Sequence, residues 1–357
     1  MMEKIGIIGG GQLGMFLAIA AQEMGYETIV YDCKDDCCAQ NVATKFVLGS
    51  FDDEAKLEEF ARECDLITYE FENINSDLVK KLSENYPIIQ KEHPLVIASS
   101  RFNEKEMADR LEINQPKWQY LEKREDLANL TLTYPYLLKS NSLGYDGKNQ
   151  YLINSEADLR VVKFGEIGYL AEEKINFDYE ISVIAFRSIN DEFMAYPPFY
   201  NIHHKGILNI TLINQDINYA AIEKAYCAIE KIMHQEDIYG ILCCEFFVKG
   251  DEVYFNEMAP RPHNSGHITM DTHYFSQYEN HLRALLGLPL GKPTIKCEGF
   301  MVNVLGQDVD KVKSFLMNGG NFAKYYDYHK VPIHNRKIGH LIIFDETYIA
   351  DFIENWR

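Results

Sequence analysis

The chain has 357 residues, 46% hydrophobic and 25% charged, enough for more than one core and unlike a disordered or fibrous protein. With 35 Lys and Arg against 54 Asp and Glu the net charge is −19, which excludes non-specific binding to nucleic acid or an anionic membrane surface. A phosphorylated substrate would need a local basic pocket.

Met1-Met2-Glu3-Lys4-Ile5-Gly6 leads straight into an apolar strand pattern, with no leader signature, and no apolar run is long enough to span a bilayer. The eight cysteines form no C-x-x-C pair and read as reduced thiols of a cytoplasmic protein, ahead of a metal site at Cys33, Cys37 and Cys38.

In chain order, Lys4–Gly9 reads as a buried strand, Met15–Met24 as a helix ended by Gly25, and Glu27–Tyr31 as a second strand. Phe46–Gly49, a helix over Glu54–Cys64, Leu66–Tyr69 and a strand at Ile88-Ile89 continue the alternation. This predicts an α/β, Rossmann-like first domain over residues 1–98. Ala98–Leu111 reads as a charged amphipathic helix, broken by Asn114-Gln115-Pro116. Strands at Tyr136–Lys139, Gln150–Ile153, Glu180–Arg187, Gly240–Val248 and Glu252–Asn256, with helices near Glu156–Lys163 and Tyr219–Met233, predict an α+β domain over 99–290. The tail, 291–357, reads as a small β-rich domain with a helix at Val309–Asn318.

Gly9-x-Gly11-x-x-Gly14 lies between a strand and a helix, and Asp32 ends the next strand. Glycines there let backbone approach a phosphate at a helix N-terminus, and Asp32 stands where a ribose-binding acid would. A nicotinamide oxidoreductase is one reading; a glycine turn serving another phosphate, or none, is the other. The second domain favours different chemistry. Glu245 lies in the apolar run Cys243–Phe247, and Asn256-Glu257 follow Val253-Tyr254-Phe255. A hairpin about Lys249-Gly250-Asp251 would bring Glu245, Asn256 and Glu257 together as oxygen ligands for Mg²⁺. Lys139 followed by a glycine loop suits a nucleotide triphosphate clamp. Glu172-Glu173-Lys174-Ile175 could line an adenine pocket, with Glu180 on ribose hydroxyls.

Asn256-Glu257-Met258-Ala259-Pro260-Arg261-Pro262-His263-Asn264-Ser265-Gly266-His267 resembles the signature of the N5-carboxyaminoimidazole ribonucleotide synthetase family, ATP-grasp carboxylases of purine synthesis. Gly6–Met15, Thr68–Ile74, Gly144–Lys148 and Arg336–His340 resemble its other motifs, so the likeness covers nearly the whole chain. The resemblance implies a pre-ATP-grasp domain, an ATP-grasp domain and a small C-terminal domain. It implies carboxylation of 5-aminoimidazole ribonucleotide from ATP and bicarbonate, with ATP and Mg²⁺ as cofactors and a cytoplasmic homodimer as the assembly. It implies ATP contacts at Arg101, Lys139, Gly144, Tyr145, Asp146, Gly147, Lys148, Asn149, Gln150, Glu172, Glu173, Lys174, Ile175, Glu180, His203, Asn256 and Glu257, with Mg²⁺ on Glu245 and Glu257. Lys139, Arg261, His263 and Asn264 fall at catalytic positions. Gly11, Gln12, Leu13, Glu70, Tyr145, Asp146, Lys330, Arg336 and Lys337 fall where the substrate nucleotide binds.

The chain departs from the family pattern at Leu143 and Asn149, which replace loop glycines, at Asn141, where a basic residue is usual, and at Ile333, where an Arg is frequent. Asn tolerates left-handed backbone angles, so Asn149 can stand in for glycine. These departures leave two alternatives: another ATP-grasp carboxylate–amine ligase, or a non-catalytic nucleotide-binding relative.

Overall fold

A computed structural model describes residues 3–72, 74–142, 149–165, 167–213, 215–318 and 320–356. Three sheets organise it. The first is parallel, with β1 (Lys4–Ile8), β2 (Glu27–Asp32), β3 (Lys45–Leu48) and β4 (Leu66–Tyr69) in the order β3-β2-β1-β4. Its strands are almost continuously apolar because both faces are covered. α1 (Gln12–Glu23) packs Met15, Phe16 and Leu17 on one face. α2 (Glu54–Ala61) and α3 (Ser76–Ser83) pack Leu57, Phe60, Val79 and Leu82 on the other. The chain leaves β1 towards β2 on one side and β4 lies on the other, so the C-terminal ends of β1 and β4 frame a crevice of the kind open α/β sheets use for ligands.

The second sheet is antiparallel: β5 (Trp118–Leu121), β6 (Tyr136–Ser140), β7 (Gln150–Ile153) and β8 (Tyr169–Glu173), in the order β5-β8-β6-β7. The third is large, made of β9 (Tyr179–Arg187), β10 (Phe193–Ala195), β11 (Phe199–His204), β12 (Ile207–Leu212), β13 (Gly240–Lys249), β14 (Glu252–Ala259), β15 (Phe300–Leu305), β16 (Ala323–Asp327) and β17 (Lys337–Ile343). Its main path runs β14-β13-β9-β11-β12-β15-β17-β16, with β10 paired to β9. The tail therefore extends the large sheet through β12–β15 pairing across the sequence border drawn at 290.

Connecting helices are α4 (His93–Ala98), α5 (Arg101–Arg110), α6 (Tyr219–Gln235), α7 (Thr269–Thr272), α8 (Gln277–Leu286), α9 (Val309–Met317) and α10 (Ile349–Asn355). α5 and α6 bury Met107, Ala108, Ala225, Ile229 and Ile232 with strands of the large sheet. α8 packs Tyr278 and Leu282 against α1, tying the first domain to the rest.

Several expected elements are corrected. The first helix begins at Gln12 rather than Met15, since Gly14 sits inside it; a Cβ there would meet the Gly9 carbonyl oxygen at 2.3 Å. The Ile88-Ile89 strand shrinks to one bridge, Ile67 to Ile88. The Ala98–Leu111 helix starts at Arg101 instead, Ala98 being the last residue of α4, because Ser100 is extended (φ −137°, ψ 120°) and its hydroxyl caps Asn103 N–H of α5. The segment near Glu156–Lys163 is a 3₁₀ turn over Glu156–Arg160.

Candidate active site

The β13–β14 hairpin forms about Lys249-Gly250-Asp251 and places Glu245 directly opposite Glu257. A bulge there leaves Asn256 as the extra residue, so consecutive Asn256 and Glu257 both reach cations of one cleft. Lys139 Nζ on β6 donates to Asn256 Oδ1 at 3.3 Å and to Glu172 Oε2 on β8 at 2.7 Å. Arg101, the first residue of α5, donates to Glu257 Oε2 at 3.1 Å.

Two buried titratable residues missed in the sequence brace this corner. Lys105 donates to the Phe255 and Asn256 carbonyls at 3.3 and 3.2 Å and lies 3.9 Å from Glu172 Oε1. Glu104 accepts Met258 N–H at 2.8 Å. Burial pushes Glu172 upward, but Lys105 and Lys139 outweigh it and hold its carboxyl at about 2. Burial and then the Glu257 charge raise Glu104 to about 8. In the α5 sequence these charges look like any solvated helix face.

Asn141, standing where a basic residue was expected, accepts Phe102 N–H on its side-chain oxygen at 2.9 Å and so holds the start of α5. Asn149 takes φ +56°, the left-handed conformation expected of it. Gln150 pairs with Lys139 across β6–β7. The expected loop residues Gly144, Tyr145, Asp146, Gly147 and Lys148 lie outside the described residues, as does Leu143. Glu173 ends β8, and Lys174 and Ile175 start the link to β9, between the second and third sheets.

On the large sheet the two-residue alternation gathers one polar face. Glu180 pairs with Asn201, and Ser182 with Glu245, so Glu180, Ser182, Asn201, His203 and Glu245 share it. Glu245 Oε1 lies 3.2 Å from His263 Nε2, and His263 Nδ1 contacts Ser265 Oγ at 2.8 Å. Burial raises Glu245, but His263, His203 and Lys337 outweigh it and hold its carboxyl at about 2. Glu245 and Glu257 face the same way, yet they engage different partners, His263 and Arg101, and among the described residues Glu245 groups with Glu180 and His203 as possible ligands. The two carboxylates and the Asn256 amide oxygen are the hard oxygen donors that Mg²⁺ takes, so the residues fit that ion.

The third part lies at the crevice of the parallel sheet. Gly11 N–H donates to Glu70 Oε1 at 2.7 Å and Gly10 N–H to Asp32 Oδ2 at 2.6 Å. The glycine-loop donors thus face carboxylates where a dinucleotide pyrophosphate would need them, which removes the physical basis of the nicotinamide reading. Glu70 is raised by burial, against the pull of Gly11 N–H, Arg261 and Lys330, to about 7. Gln12 Oε1 accepts from Lys330 Nζ at 2.5 Å, joining α1 to the C-terminal segment, whereas the Leu13 side chain is buried. Arg336 is exposed beside this segment and Lys337 opens β17.

Arg261 grips Glu72, with Nη2 to Oε1 at 2.9 Å and a short Nε–Oε2 contact, and its Nη1 donates to the Pro262 carbonyl at 3.1 Å. Glu72 lies within the Thr68–Ile74 motif, whose sequence alone gives it no role. Gln277 fixes the next residue by bonding His263 N–H at 2.9 Å and its carbonyl at 2.8 Å. Asn264 Oδ1 accepts from Asn303 Nδ2 at 2.5 Å.

Family models match consecutive parts of the chain: a ribonucleotide synthetase preATP-grasp domain at residues 2–99, an ATP-grasp domain at 106–278 and a phosphoribosylaminoimidazole carboxylase C-terminal domain at 299–350. The N5-carboxyaminoimidazole ribonucleotide synthase of Bacillus subtilis is 35% identical over 366 residues, covering 99% of this chain and 95% of that one. The chain belongs to the N5-carboxyaminoimidazole ribonucleotide synthase family. The architecture is accordingly an ATP-grasp fold with the family's N- and C-terminal domains. Among solved synthases, the Staphylococcus aureus enzyme complexed with ADP superposes with a TM-score of 0.94 at 33% identity, covering 99% of this chain and 97% of that one. The Aspergillus clavatus synthase, in complex with ADP and 5-aminoimidazole ribonucleotide, gives a TM-score of 0.90 at 25% identity, covering 99% and 98%.

Proposed function

We propose that this chain is an ATP-grasp ligase that carboxylates 5-aminoimidazole ribonucleotide with bicarbonate and ATP, giving N5-carboxyaminoimidazole ribonucleotide, ADP and phosphate. The observation that carries this reading is the end-to-end family match, with Lys139, Asn256, Glu257, Glu245, His263 and Arg261 along one cleft.

ATP lies between the second and third sheets, with adenine at Glu172–Ile175, ribose near Glu180 and His203, and phosphates at Lys139; Gly144–Lys148, outside the described residues, carry the sequence that resembles the family's ATP loop. Lys139 and Arg101 offset phosphate charge. Glu245 and Glu257 would hold Mg²⁺, which supplies charge neutralisation as the γ-phosphoryl group moves. Bicarbonate oxygen attacks the γ-phosphorus, the bond to the β-phosphate oxygen breaks, and carboxyphosphate and ADP result. Carboxyphosphate then releases CO₂ and phosphate. The substrate amine forms a C–N bond to the CO₂ carbon and gives up a proton.

Arg261 suits bicarbonate. Its bonds to Glu72 and Pro262 use three of five N–H groups, so among the described residues one N–H remains on each terminal nitrogen for a bidentate anion contact. His263 is the proton carrier or orienter beside it, and Asn264 shapes the same turn. Gly11, Gln12, Leu13 through its backbone, and Glu70 line the nucleotide side, with Tyr145 and Asp146 in the expected loop. Lys330, Arg336 and Lys337 supply the local basic charge that a phosphate needs on an acidic protein. A cytoplasmic homodimer is the assembly proposed with this activity, and no helix among the described residues is long and apolar enough to cross a membrane. Aminoimidazole-dependent release of ADP tests the reading.

A further inference from the structure

Glu180, His203 and Glu245 come from three neighbouring strands, β9, β11 and β13. Each offers a ligand atom, and these atoms lie within 4.8 Å of one another. His203 Nδ1 is 3.3 Å from Glu180 Oε2, an ion pair when the ring is protonated, and is closed off from solvent. The three side chains retain only 20%, 18% and 13% of their exposure, so the donors are held by sheet and packing rather than by mobile surface chains. Behind Glu245 stands His263, itself held by Ser265, an outer layer of the kind that orients metal-bound carboxylates.

We propose that, when no nucleotide is bound, Glu180, His203 and Glu245 bind a single borderline transition-metal dication of the Zn²⁺ or Co²⁺ class, in competition with Mg·ATP. One imidazole and two carboxylates form a three-ligand set of the kind that leaves a fourth position to water in open zinc sites. The imidazole decides the class: Mg²⁺ prefers six hard oxygens, whereas nitrogen donors favour the later first-row metals. The cation would take the place of a proton on Nδ1 and offset the two neighbouring carboxylates. Its competition with nucleotide rests on the functional reading above, which gives Glu180 to ribose and Glu245 to Mg²⁺; metal binding itself rests on geometry alone.

The experiment titrates the chelator-stripped full chain with Co²⁺ and follows its visible d–d absorption. The expected result is one equivalent bound without a thiolate charge-transfer band. Affinity should fall by roughly tenfold or more in both His203→Gln and Glu180→Gln, each checked for an unchanged metal-free melting temperature. Having two variants keeps the test decisive if one fails to fold. A thiolate band, which would place the metal on the cysteines, overturns the site. So does undiminished affinity in a folded variant, or the absence of binding. Mg·ATP should expel the Co²⁺. Retention of Co²⁺ while dialysis shows ATP bound overturns the competition. If ATP does not bind, the nucleotide reading fails while the metal result stands on its own.

Discussion

Glu72 meets Arg261 through both oxygens of its carboxylate, so a residue following β4 of the parallel sheet fixes a guanidinium carried on the chain after β14. The pair bridges two domains. Breaking it strands a largely buried cation, which costs about 3 kcal/mol. Glu72→Ala should lower the urea midpoint accordingly, and Glu72→Gln, which keeps one acceptor, should lose less. Equal stability of all three proteins would show that the bridge contributes nothing.

Lys105 should matter to ATP although it faces no solvent. It holds the Phe255 and Asn256 carbonyls and helps keep Glu172 ionised next to Lys139. Lys105→Met should raise the KM for ATP by about tenfold, as expected when a supporting contact of 1–2 kcal/mol is lost. The KM for the aminoimidazole should move little. Equal changes in both KM values would show that Lys105 does not act specifically on the nucleotide side.

The metal assignment makes a sharper claim. Glu257→Gln keeps shape and still accepts from Arg101 but removes a charge. Turnover should fall by about 10³-fold or more with the melting curve unchanged, since electrostatic support of phosphoryl transfer is worth several kcal/mol. Wild-type turnover would refute the role.

Acid should destabilise the protein. Burial holds His281 and His340 at about 3 and His273 at about 4, and lowers His267 well below its ordinary value, with His340 adding to that last effect. Unfolded histidines titrate near 6.5, so stability present above that pH is lost as pH falls, by up to about 1.4 kcal/mol per unit for each. Glu70 and Glu104, raised to about 7 and about 8, act oppositely; their contribution is complete below the usual carboxylate range and is lost as pH rises through those values. Between pH 6.5 and 4.5 the four histidines outweigh the two glutamates. Glu172 and Glu245, held at about 2, add their loss below that window. The urea midpoint should therefore be lower at pH 5 than at pH 7, and an equal or higher midpoint would contradict this balance.

Sequence patterns made the parallel sheet legible because its buried strands and glycine loop obey local rules. The hairpin was legible for the same reason, as Lys249-Gly250-Asp251 is a turn between two apolar runs. What was not legible is non-local. Nothing local distinguishes Glu104 and Lys105, which are 3% and 1% exposed, from the solvated charges around them. The bulge at Asn256 depends on the partner strand, and so does the pairing of β15 with β12 that carries the tail into the large sheet. The stacked rings of His267 and His340, 4.5 Å apart, lie in two recognised motifs, but only the fold shows that they touch.

The central claim is tested most directly by ADP release from ATP with Mg²⁺ and bicarbonate, measured with and without 5-aminoimidazole ribonucleotide. The account predicts release that depends strongly on the aminoimidazole and matches its carboxylation mole for mole. Release that is equal without it, or no release while ATP remains bound, would contradict the account.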